Sequence, residues 1–157
     1  MNGTMHFATV PVKAVPKKKA NGGADQHHPV VLVVDDERVI ADTLSVIFEK
    51  NGFIAMTAYD GTSALEIAAL VPPELLISDV IMPGINGIDL AIAIRGSVPD
   101  CEVILFFGQP SALDLLESAQ LAGHDFLALT KPAHPTELLA RVSERLALRK
   151  EVPPRVD

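Results

Sequence analysis

Four ionisable side chains directly follow or end apolar runs of the sequence, and their types suit phosphate chemistry. Asp35 and Asp36 come after one run, Asp79 ends a second, and Lys131 follows a third. Adjacent carboxylates repel each other when they are partly desolvated, and a hard divalent cation such as Mg²⁺ relieves that repulsion. A lysine supplies a compact positive charge for a phosphate oxygen. We therefore interpret Asp79 as a nucleophile toward phosphorus, held beside Mg²⁺ and Lys131.

The elements that must position these residues alternate regularly between strand and helix. Continuous runs of branched apolar residues predict strands that are buried on both faces of a parallel sheet. Ligands of such sheets bind at the carboxyl ends of the strands, so the residues that follow the strands should meet. Helices should cover both faces through right-handed crossovers. The predicted strands are PVVLVVDDE, FIAMTAY, ELLISDV, EVILFF and DFLALT, and the predicted helices span 38–50, 62–71, 87–96, 112–122 and 135–149.

Each motif at a strand end also fits a purely structural role. The acids of DDE could favour the start of a helix, and SDVIMPG could be a turn. TKP is a weak signal by itself. Their joint occurrence, each at the end of a different predicted strand, favours a shared chemical site.

Local signals predict where three of the helices begin or end. Asn51-Gly52 is typical of a helix end, and Pro135 suits a first helical turn. Ser111, with Asp114 three residues later, predicts a capping box at the fourth helix. The last helix should turn four apolar residues inward, namely Leu138, Leu139, Val142 and Leu146.

Composition excludes several classes of protein. The single cysteine, Cys101, rules out an internal disulfide framework and is expected to be a buried structural thiol. No apolar stretch approaches the ~20 residues that span a bilayer. A secretory signal is not evident either, so we expect a cytoplasmic protein.

The net charge of −7 is divided unevenly along the chain. Residues 1–28 carry four lysines against Asp25, whereas residues 29–157 are strongly acidic. An acidic body is a poor ligand for nucleic acid or for an anionic membrane. We expect a disordered N-terminal tail over residues 1–28, in which Lys17–Lys19 are solvated, one domain over 29–149, and a short C-terminal tail over 150–157.

Three motifs resemble the receiver domain of bacterial two-component response regulators. They are VVLVVDDE, LLISDVIMPGINGIDL and LTKPAHPTELL, and the resemblance covers roughly residues 29–149. It implies a flavodoxin-like, doubly wound α/β domain with five parallel strands in the order 2-1-3-4-5. It also implies that Asp79 accepts a phosphoryl group from a histidine kinase or a phosphotransfer protein.

The resemblance assigns further roles around Asp79. Asp35 and Asp36 would form an acidic pocket for Mg²⁺, in which Asp36, Asp79 and the backbone carbonyl of Ile81 are direct ligands. Lys131 would contact the phosphoryl group, ahead of a cis Lys131-Pro132 bond. Gly108 would also contact the phosphoryl group, while Gln109 and Ile81 would flank the site and tune the attack of water on it. Such a protein is a phosphoacceptor, with at most self-phosphorylation and autodephosphorylation chemistry, and not an enzyme.

Two positions depart from the family's pattern. Receivers usually end the fourth strand with Thr or Ser, whose hydroxyl binds the phosphate, and this sequence has Phe107 there. The aromatic residue of the fifth strand is replaced by Ala128, for which Phe126 could partly substitute. Phe107 could instead fill the space left by Ala128, or Ser111 could supply the hydroxyl if the strand register slips.

We therefore expect a stand-alone, single-domain response regulator with an atypical switch. It would act on a downstream protein through the face formed by helix 4, strand 5 and helix 5, without direct contact with DNA or membrane. The alternative is a phosphorylation-independent pseudo-receiver that serves as a protein-binding adaptor. A phosphatase of the aspartyl-phosphate type is disfavoured, because Ile81 stands where that chemistry needs a second aspartate.

Overall fold

The computed structural model describes residues 27–151, and the side chains of residues 27–148. Residues 1–26 of the expected N-terminal tail and residues 152–157 of the expected C-terminal tail lie outside this range. His27 and His28 are bonded to the domain: His27 Nε2 lies 2.7 Å from Glu74 Oε2, and His28 Nδ1 lies 3.0 Å from the carbonyl oxygen of Gly52. Both residues that precede Pro29 and β1 are therefore hydrogen-bonded to the folded domain.

Five strands alternate with five helices in the described residues, as the sequence predicts. The strands are β1 (Val30–Val34), β2 (Ile54–Ala58), β3 (Leu75–Asp79), β4 (Glu102–Phe107) and β5 (Leu127–Thr130). The helices are α1 (Arg38–Lys50), α2 (Gly61–Leu70), α3 (Gly87–Ser97), α4 (Ser111–Leu121) and α5 (Pro135–Glu151). All strand pairs are parallel, and the order is β2-β1-β3-β4-β5, which confirms the expected fold.

The central strands are buried on both faces, which explains their continuous apolar sequences. One apolar core contains alternate residues of the strands together with Ala64 of α2, Ile94 of α3 and Ala112 of α4. The opposite core contains the other strand residues, with Phe48 of α1 and Val142 of α5. Helices α2, α3 and α4 therefore cover one face of the sheet, and α1 and α5 cover the other.

Strand register brings the polar residues to one edge. Val34 lies beside Ser78, Asp79 beside Phe106, and Phe107 beside Thr130. The residues that follow β1, β3 and β5 therefore converge at the carboxyl ends of the strands, where ligands of parallel sheets bind.

Helix ends follow the sequence signals at two sites and contradict them at a third. Gly52 adopts a positive φ of 93° just after α1, and Pro135 opens α5. The capping box predicted at Ser111 is wrong: Ser111 is already helical, and Pro110 precedes it with φ −58° and ψ −29°. An N-cap residue needs an extended backbone, so the helical turn at Pro110 removes that role from Ser111.

Other predictions on packing are confirmed. Cys101 is buried, Leu138 and Val142 belong to the core, and Leu139 and Leu146 pack against it. Between residues 27 and 151, no helix has both the length and the apolar character needed to cross a membrane.

Candidate functional site

Three carboxylates meet at the carboxyl edge of the sheet. One oxygen from each of Asp35, Asp36 and Asp79 lies within 4.8 Å of the others. Asp35 is only 1% exposed and Asp79 9%, whereas Asp36 is exposed. Such a set of oxygen donors suits a hard divalent cation, because Mg²⁺ binds through one or two carboxylates and keeps several waters. These residues fit the expected Mg²⁺ site.

Lys131 joins two of these carboxylates. Its Nζ lies 3.1 Å from Asp79 Oδ2 and 3.3 Å from Asp35 Oδ2. Burial acts to lower the pKa of Lys131, but the hydrogen bond with Asp79 and the charges of Asp79 and Asp35 outweigh it and raise the pKa. Lys131 is therefore a cation fixed beside Asp79.

Asp79 sits in an environment that disfavours its charge. Burial raises its pKa, the hydrogen bond and charge of Lys131 act against that rise, and the charges of Asp35 and Asp36 add to it. The net direction is upward. A carboxylate in this state gains stability from added positive charge, which is what a divalent cation supplies.

Asp35 is held by the backbone as well as by Lys131. Its Oδ1 accepts a hydrogen bond of 2.9 Å from the N–H of Glu37. Both of its oxygens are therefore already engaged, one with Glu37 and the other with Lys131. Asp36 is the more exposed of the pair, so its carboxylate reaches solvent at the mouth of the site.

The main chain of Asp79 is in close contact with the start of α3, which the sequence analysis missed. A Cβ atom on Gly87 would lie 2.0 Å from the carbonyl oxygen of Asp79. That oxygen also accepts a 2.9 Å hydrogen bond from Ser78 Oγ, and the Gly87 N–H donates to the carbonyl of Val80 at 2.8 Å. The glycine that follows Asn86 was the sequence signal for this contact, but it is also typical of a helix start.

A second group of side-chain contacts lies at the end of β2, the strand that neighbours β1 in the sheet. The hydroxyl of Tyr59 donates a 2.5 Å hydrogen bond to Asp42, and the guanidinium of Arg38 lies 4.2 Å from the centre of the Tyr59 ring. The hydrogen bond to Asp42 raises the pKa of Tyr59, with further contributions from burial and from the charge of Asp42. This group ties the first turns of α1 to the end of β2.

Phe107 and Ala128, the two residues that depart from the family's pattern, lie on one face of the sheet. Phe107 is half-buried and packs on the core beneath α2, α3 and α4. Ala128 of β5 pairs with Leu105 of β4, which lies two residues before Phe107 and on the same face of the sheet. A groove of about 270 Å³ opens next to Ala128. Phe107 is not among the described residues that line this groove.

Phe126 lies at the amino end of β5 and faces this groove. The groove is lined by Leu113, Leu116, Glu117, Gln120, His124, Asp125, Phe126 and Ala128. The Phe126 ring stacks with His124 at 5.9 Å between centroids, and the Arg95 guanidinium lies 5.2 Å from its centre. These contacts hold Phe126 at the groove, away from the carboxyl end of its strand.

The remaining predicted site residues border the carboxylates. Lys131-Pro132 is a cis peptide, as expected, and the Lys131 N–H donates to the Phe107 carbonyl at 2.7 Å. Gly108 is exposed, and a Cβ there would meet Lys131 Cβ at an ordinary 3.5 Å. Gln109 is also exposed, and Ile81 packs against the core on the side of α2, α3 and α4. The strands keep the expected register, so Ser111 stays in α4.

A second groove, of about 310 Å³, opens beside Lys131. It lies between α1 and the connection from β5 to α5, and Val39 at its border is 78% exposed. Its lining is largely apolar, comprising Val39, Ile40, Thr43, Leu44, Ile47, Phe106, Lys131, Pro132, Ala133 and Pro135. An apolar surface thus adjoins the candidate phosphate site.

Comparison with known proteins identifies this arrangement. The family model described as the response regulator receiver domain matches residues 31–143. Among curated proteins, the chain is 31% identical over 125 residues to proteins described as DNA-binding response regulator MtrA, from Mycobacterium tuberculosis and from Mycobacterium leprae. That alignment covers 78% of this chain and 53% of each relative. The chain thus spans about half the length of the curated relatives it matches.

Solved structures agree with the sequence relatives. A CheY-like response regulator receiver domain protein from Methanospirillum hungatei superposes with a TM-score of 0.73 at 25% identity, covering 80% of this chain and 98% of that one. The signal receiver domain of an HD domain-containing protein from Pseudomonas fluorescens also reaches 0.73, at 28% identity, covering 80% of this chain and 100% of that one. The likeness thus extends over almost the whole of both solved chains.

Proposed function

The chain belongs to the response regulator receiver domain family, and from that premise we propose that it accepts a phosphoryl group on Asp79 from a phosphohistidine of a kinase or phosphotransfer protein. The observation that carries the proposal is the buried Asp79 carboxylate with Lys131 Nζ at 3.1 Å and two further carboxylates beside it. The site would lie in the reducing cytoplasm, consistent with the buried Cys101 thiol.

In this reaction an oxygen of Asp79 attacks the phosphorus atom. The new O–P bond forms as the P–N bond to the partner's imidazole breaks, and the electron pair of the broken bond stays on that imidazole. Lys131 already contacts Asp79 Oδ2, so its ammonium is placed to contact an oxygen of the transferred group. Asp35 holds Lys131 from the other side and keeps it in position.

Mg²⁺, when bound by Asp36, Asp79 and the Ile81 carbonyl with Asp35 behind them, would neutralise charge on the transferred group. The remaining work belongs to the protein's own residues. Burial weakens the solvation of Asp79 and raises its pKa, which leaves it better able to bond to an electrophile than a solvated carboxylate. The protein would be a phosphoacceptor and not an enzyme that turns over a substrate.

The apolar groove beside Lys131 supports docking of the phosphodonor. Val39 is largely exposed at its border, and a surface of this type suits the apolar face of a partner helix. Docking there would bring a histidine on that helix to the mouth of the acidic site. Val39→Asp should therefore slow transfer from a phosphorylated partner while leaving acetyl phosphate as good a donor as before.

The response to phosphorylation would be weak or unconventional. Phe107 has no hydroxyl to bind the phosphoryl group, and a charge-assisted bond of that kind is worth ~1.5–3 kcal/mol. Phe126 is held by Arg95 and His124 at the other end of β5. Ala128 offers no ring to follow a moving hydroxyl, so the elements that usually couple the phosphate to a shape change are both altered.

Phosphorylation of the full chain tests the first part of the proposal. Wild type incubated with acetyl phosphate and Mg²⁺ should gain one phosphoryl group by intact-mass spectrometry, and Asp79→Ala should gain none. Asp114→Ala removes an exposed carboxylate on α4 and serves as the matched control, which should be labelled like wild type. Labelling of Asp79→Ala at the wild-type level would refute the assignment of Asp79.

Spectra with beryllium fluoride and Mg²⁺ test the second part. Shifts should be confined to residues near Asp79, and Phe107→Ser should extend them over residues 107–130. Large shifts across residues 107–130 in the wild type would refute the proposal that the response to phosphorylation is weak. The alternative function is a protein-binding adaptor without phosphate control, which the Phe107 and Ala128 pair favours. A finding that the chain neither binds Mg²⁺ nor accepts phosphate would support this alternative.

We also propose that the chain acts by protein contact, without binding DNA itself. Its partner surface would be the face formed by α4, β5 and α5, where the groove next to Ala128 opens. The DNA-binding relatives are about twice as long as the matched region, so their printed activity concerns longer proteins. A mobility-shift assay with mixed DNA checks the absence of DNA binding. Binding at physiological salt would contradict the proposal.

A further inference from the structure

One helical face of this domain is strongly acidic. From residue 51 to residue 130 the sequence contains ten acidic residues and a single basic one, Arg95. Most of these residues belong to α2, α3, α4 and their connections, which cover one face of the sheet. The opposite helices, α1 and α5, carry both signs of charge, as in the Arg141 and Glu144 pair. A negative potential therefore spreads over the α2–α3–α4 face.

The groove between α4 and β5 lies on this face and combines two kinds of surface. Leu113, Leu116, Phe126 and Ala128 make it apolar, whereas Glu117 and Asp125 add negative charge. Leu113 is 52% exposed, although it lines a concave site. A segment that interleaves apolar and basic side chains matches such a groove, because each type finds its complement.

The chain itself contains such a segment. Residues 8–19 read ATVPVKAVPKKK, in which three valines accompany four lysines and no acid occurs. These residues lie outside the range that the structure describes. Their charge is opposite to that of the face that bears the groove.

The described start of the chain lies within reach of the groove. His27 leads into β1, and His124 to Phe126 lead into β5, so both lie at the amino edge of the parallel sheet. Strands β1 and β5 are three steps apart in the sheet, which is about 14 Å at ~4.8 Å per step. The connection from residue 20 to residue 26 has a root-mean-square span of roughly 15 Å for a flexible chain of its length.

We propose that residues 10–19 bind in the groove between α4 and β5, with lysines paired to Glu117 and Asp125 and valines against Leu113, Leu116 and Phe126. Tethering gives such a segment an effective concentration of about millimolar, so a weak intrinsic affinity is enough for occupancy. The groove belongs to the face proposed for the downstream partner. Occupancy would therefore compete with that partner, a consequence that rests on the proposed function.

Amide spectra of the full chain, without phosphodonor or beryllium fluoride, test the contact directly. Reversing three tail charges (Lys17→Glu, Lys18→Glu, Lys19→Glu) should shift the amides of residues 113–128 several-fold more than those of β1 and β3. Adding salt to the wild type should shift the same amides in the same direction, because screening weakens the ion pairs. The three tail substitutions lie outside the described residues 27–151, and an unchanged far-UV circular dichroism spectrum should show that the domain stays folded in the variant.

Charge swapping provides the specificity control. Glu117→Lys with Asp125→Lys should reproduce the shifts, and combining these with the tail reversal should restore the wild-type positions. Asp114→Lys, an exposed change on the same helix outside the groove lining, should leave the amides of 116–128 at their wild-type positions, and the tail reversal should still shift them in that variant. The proposal is overturned if the tail reversal moves no groove amide, or if the shifts vanish on dilution, which would indicate a second copy as the occupant. Because phosphorylation is absent throughout, these outcomes are independent of whether Asp79 accepts phosphate.

Discussion

Replacing Gly87 by alanine should both destabilise the domain and disturb Asp79, the proposed phosphoacceptor. The added Cβ would lie 2.0 Å from the carbonyl oxygen of Asp79 and 3.0 Å from Ser78 Oγ. Ordinary carbon–oxygen contacts need about 3.3 Å or more, so α3 or the end of β3 must move by more than ~1 Å. Neither neighbour is the end of a flexible side chain, because Asp79 contributes backbone and Ser78 is fully buried.

The matched control is Gly96→Ala in the same helix. Nothing lies within 4 Å of a Cβ built at Gly96, which is exposed near the end of α3. There the substitution should stabilise by ~0.4–1 kcal/mol, because it restricts the unfolded chain. Gly87→Ala should instead destabilise by ~1–3 kcal/mol or more, the cost of overpacking a filled site. The two variants should thus change the free energy of unfolding in opposite directions.

Urea denaturation of both variants gives the free energies, and labelling by acetyl phosphate gives the rates. We expect Gly87→Ala to slow labelling of Asp79, because the moved backbone carries the carboxylate away from Lys131. Gly96→Ala should be labelled at the wild-type rate. If Gly87→Ala were as stable as Gly96→Ala and were labelled equally fast, the close contact between α3 and Asp79 would not constrain the site, and the reasoning would be refuted.

Three further predictions concern the metal site, a tyrosine and a buried hydroxyl pair. Mg²⁺ at about a hundred times its dissociation constant should raise the free energy of unfolding by ~2.7 kcal/mol, and Asp36→Asn should lose most of that gain in denaturation with and without the ion. Tyr59 is the chain's only tyrosine, and its absorbance titration should give a pKa above 10.0 that falls in the Asp42→Asn variant. The stability contributed by the hydrogen bond from Tyr59 to Asp42 is present below pH 10.0 and is lost as the pH rises through the folded-state pKa. Ser45→Ala should cost ~1–3 kcal/mol because it leaves Thr57 without its 2.7 Å partner, whereas the double variant with Thr57→Val should be nearly neutral in the same denaturation assay.

The fold and the carboxylate cluster were predictable because they depend on repeated local patterns. Runs of branched apolar residues predicted five strands, and parallel strands necessarily bring their carboxyl ends to one edge. Asp35, Asp36, Asp79 and Lys131 follow or end such strands, so their meeting required no knowledge of side-chain packing. Their convergence at one edge follows from sheet geometry and register.

The contacts that were missed or misjudged depend on how elements approach each other. Gly87 reads in the sequence as an ordinary helix start, and only the approach of α3 to Asp79 shows why a side chain cannot fit. The capping box at Ser111 failed because Pro110 adopted helical angles and moved the helix start. A groove opens beside Ala128, and Phe107 is not among the described residues that line it. No local pattern reports such distances.

The proposed separation of phosphate acceptance from phosphate response has an energetic reason. Moving a two-state equilibrium from 1:99 to 99:1 requires a differential affinity of ~5.5 kcal/mol. A hydroxyl at the end of β4 would supply ~1.5–3 kcal/mol of it, roughly tenfold to more than a hundredfold in the equilibrium constant. Lys131 already contacts both Asp35 and Asp79 without phosphate, so it gains less from the added charge than an unpaired lysine would. The end of β4 is therefore the position at which a single change, Phe107→Ser, should increase the coupling most, and an unchanged response to beryllium fluoride in that variant would place the missing energy elsewhere.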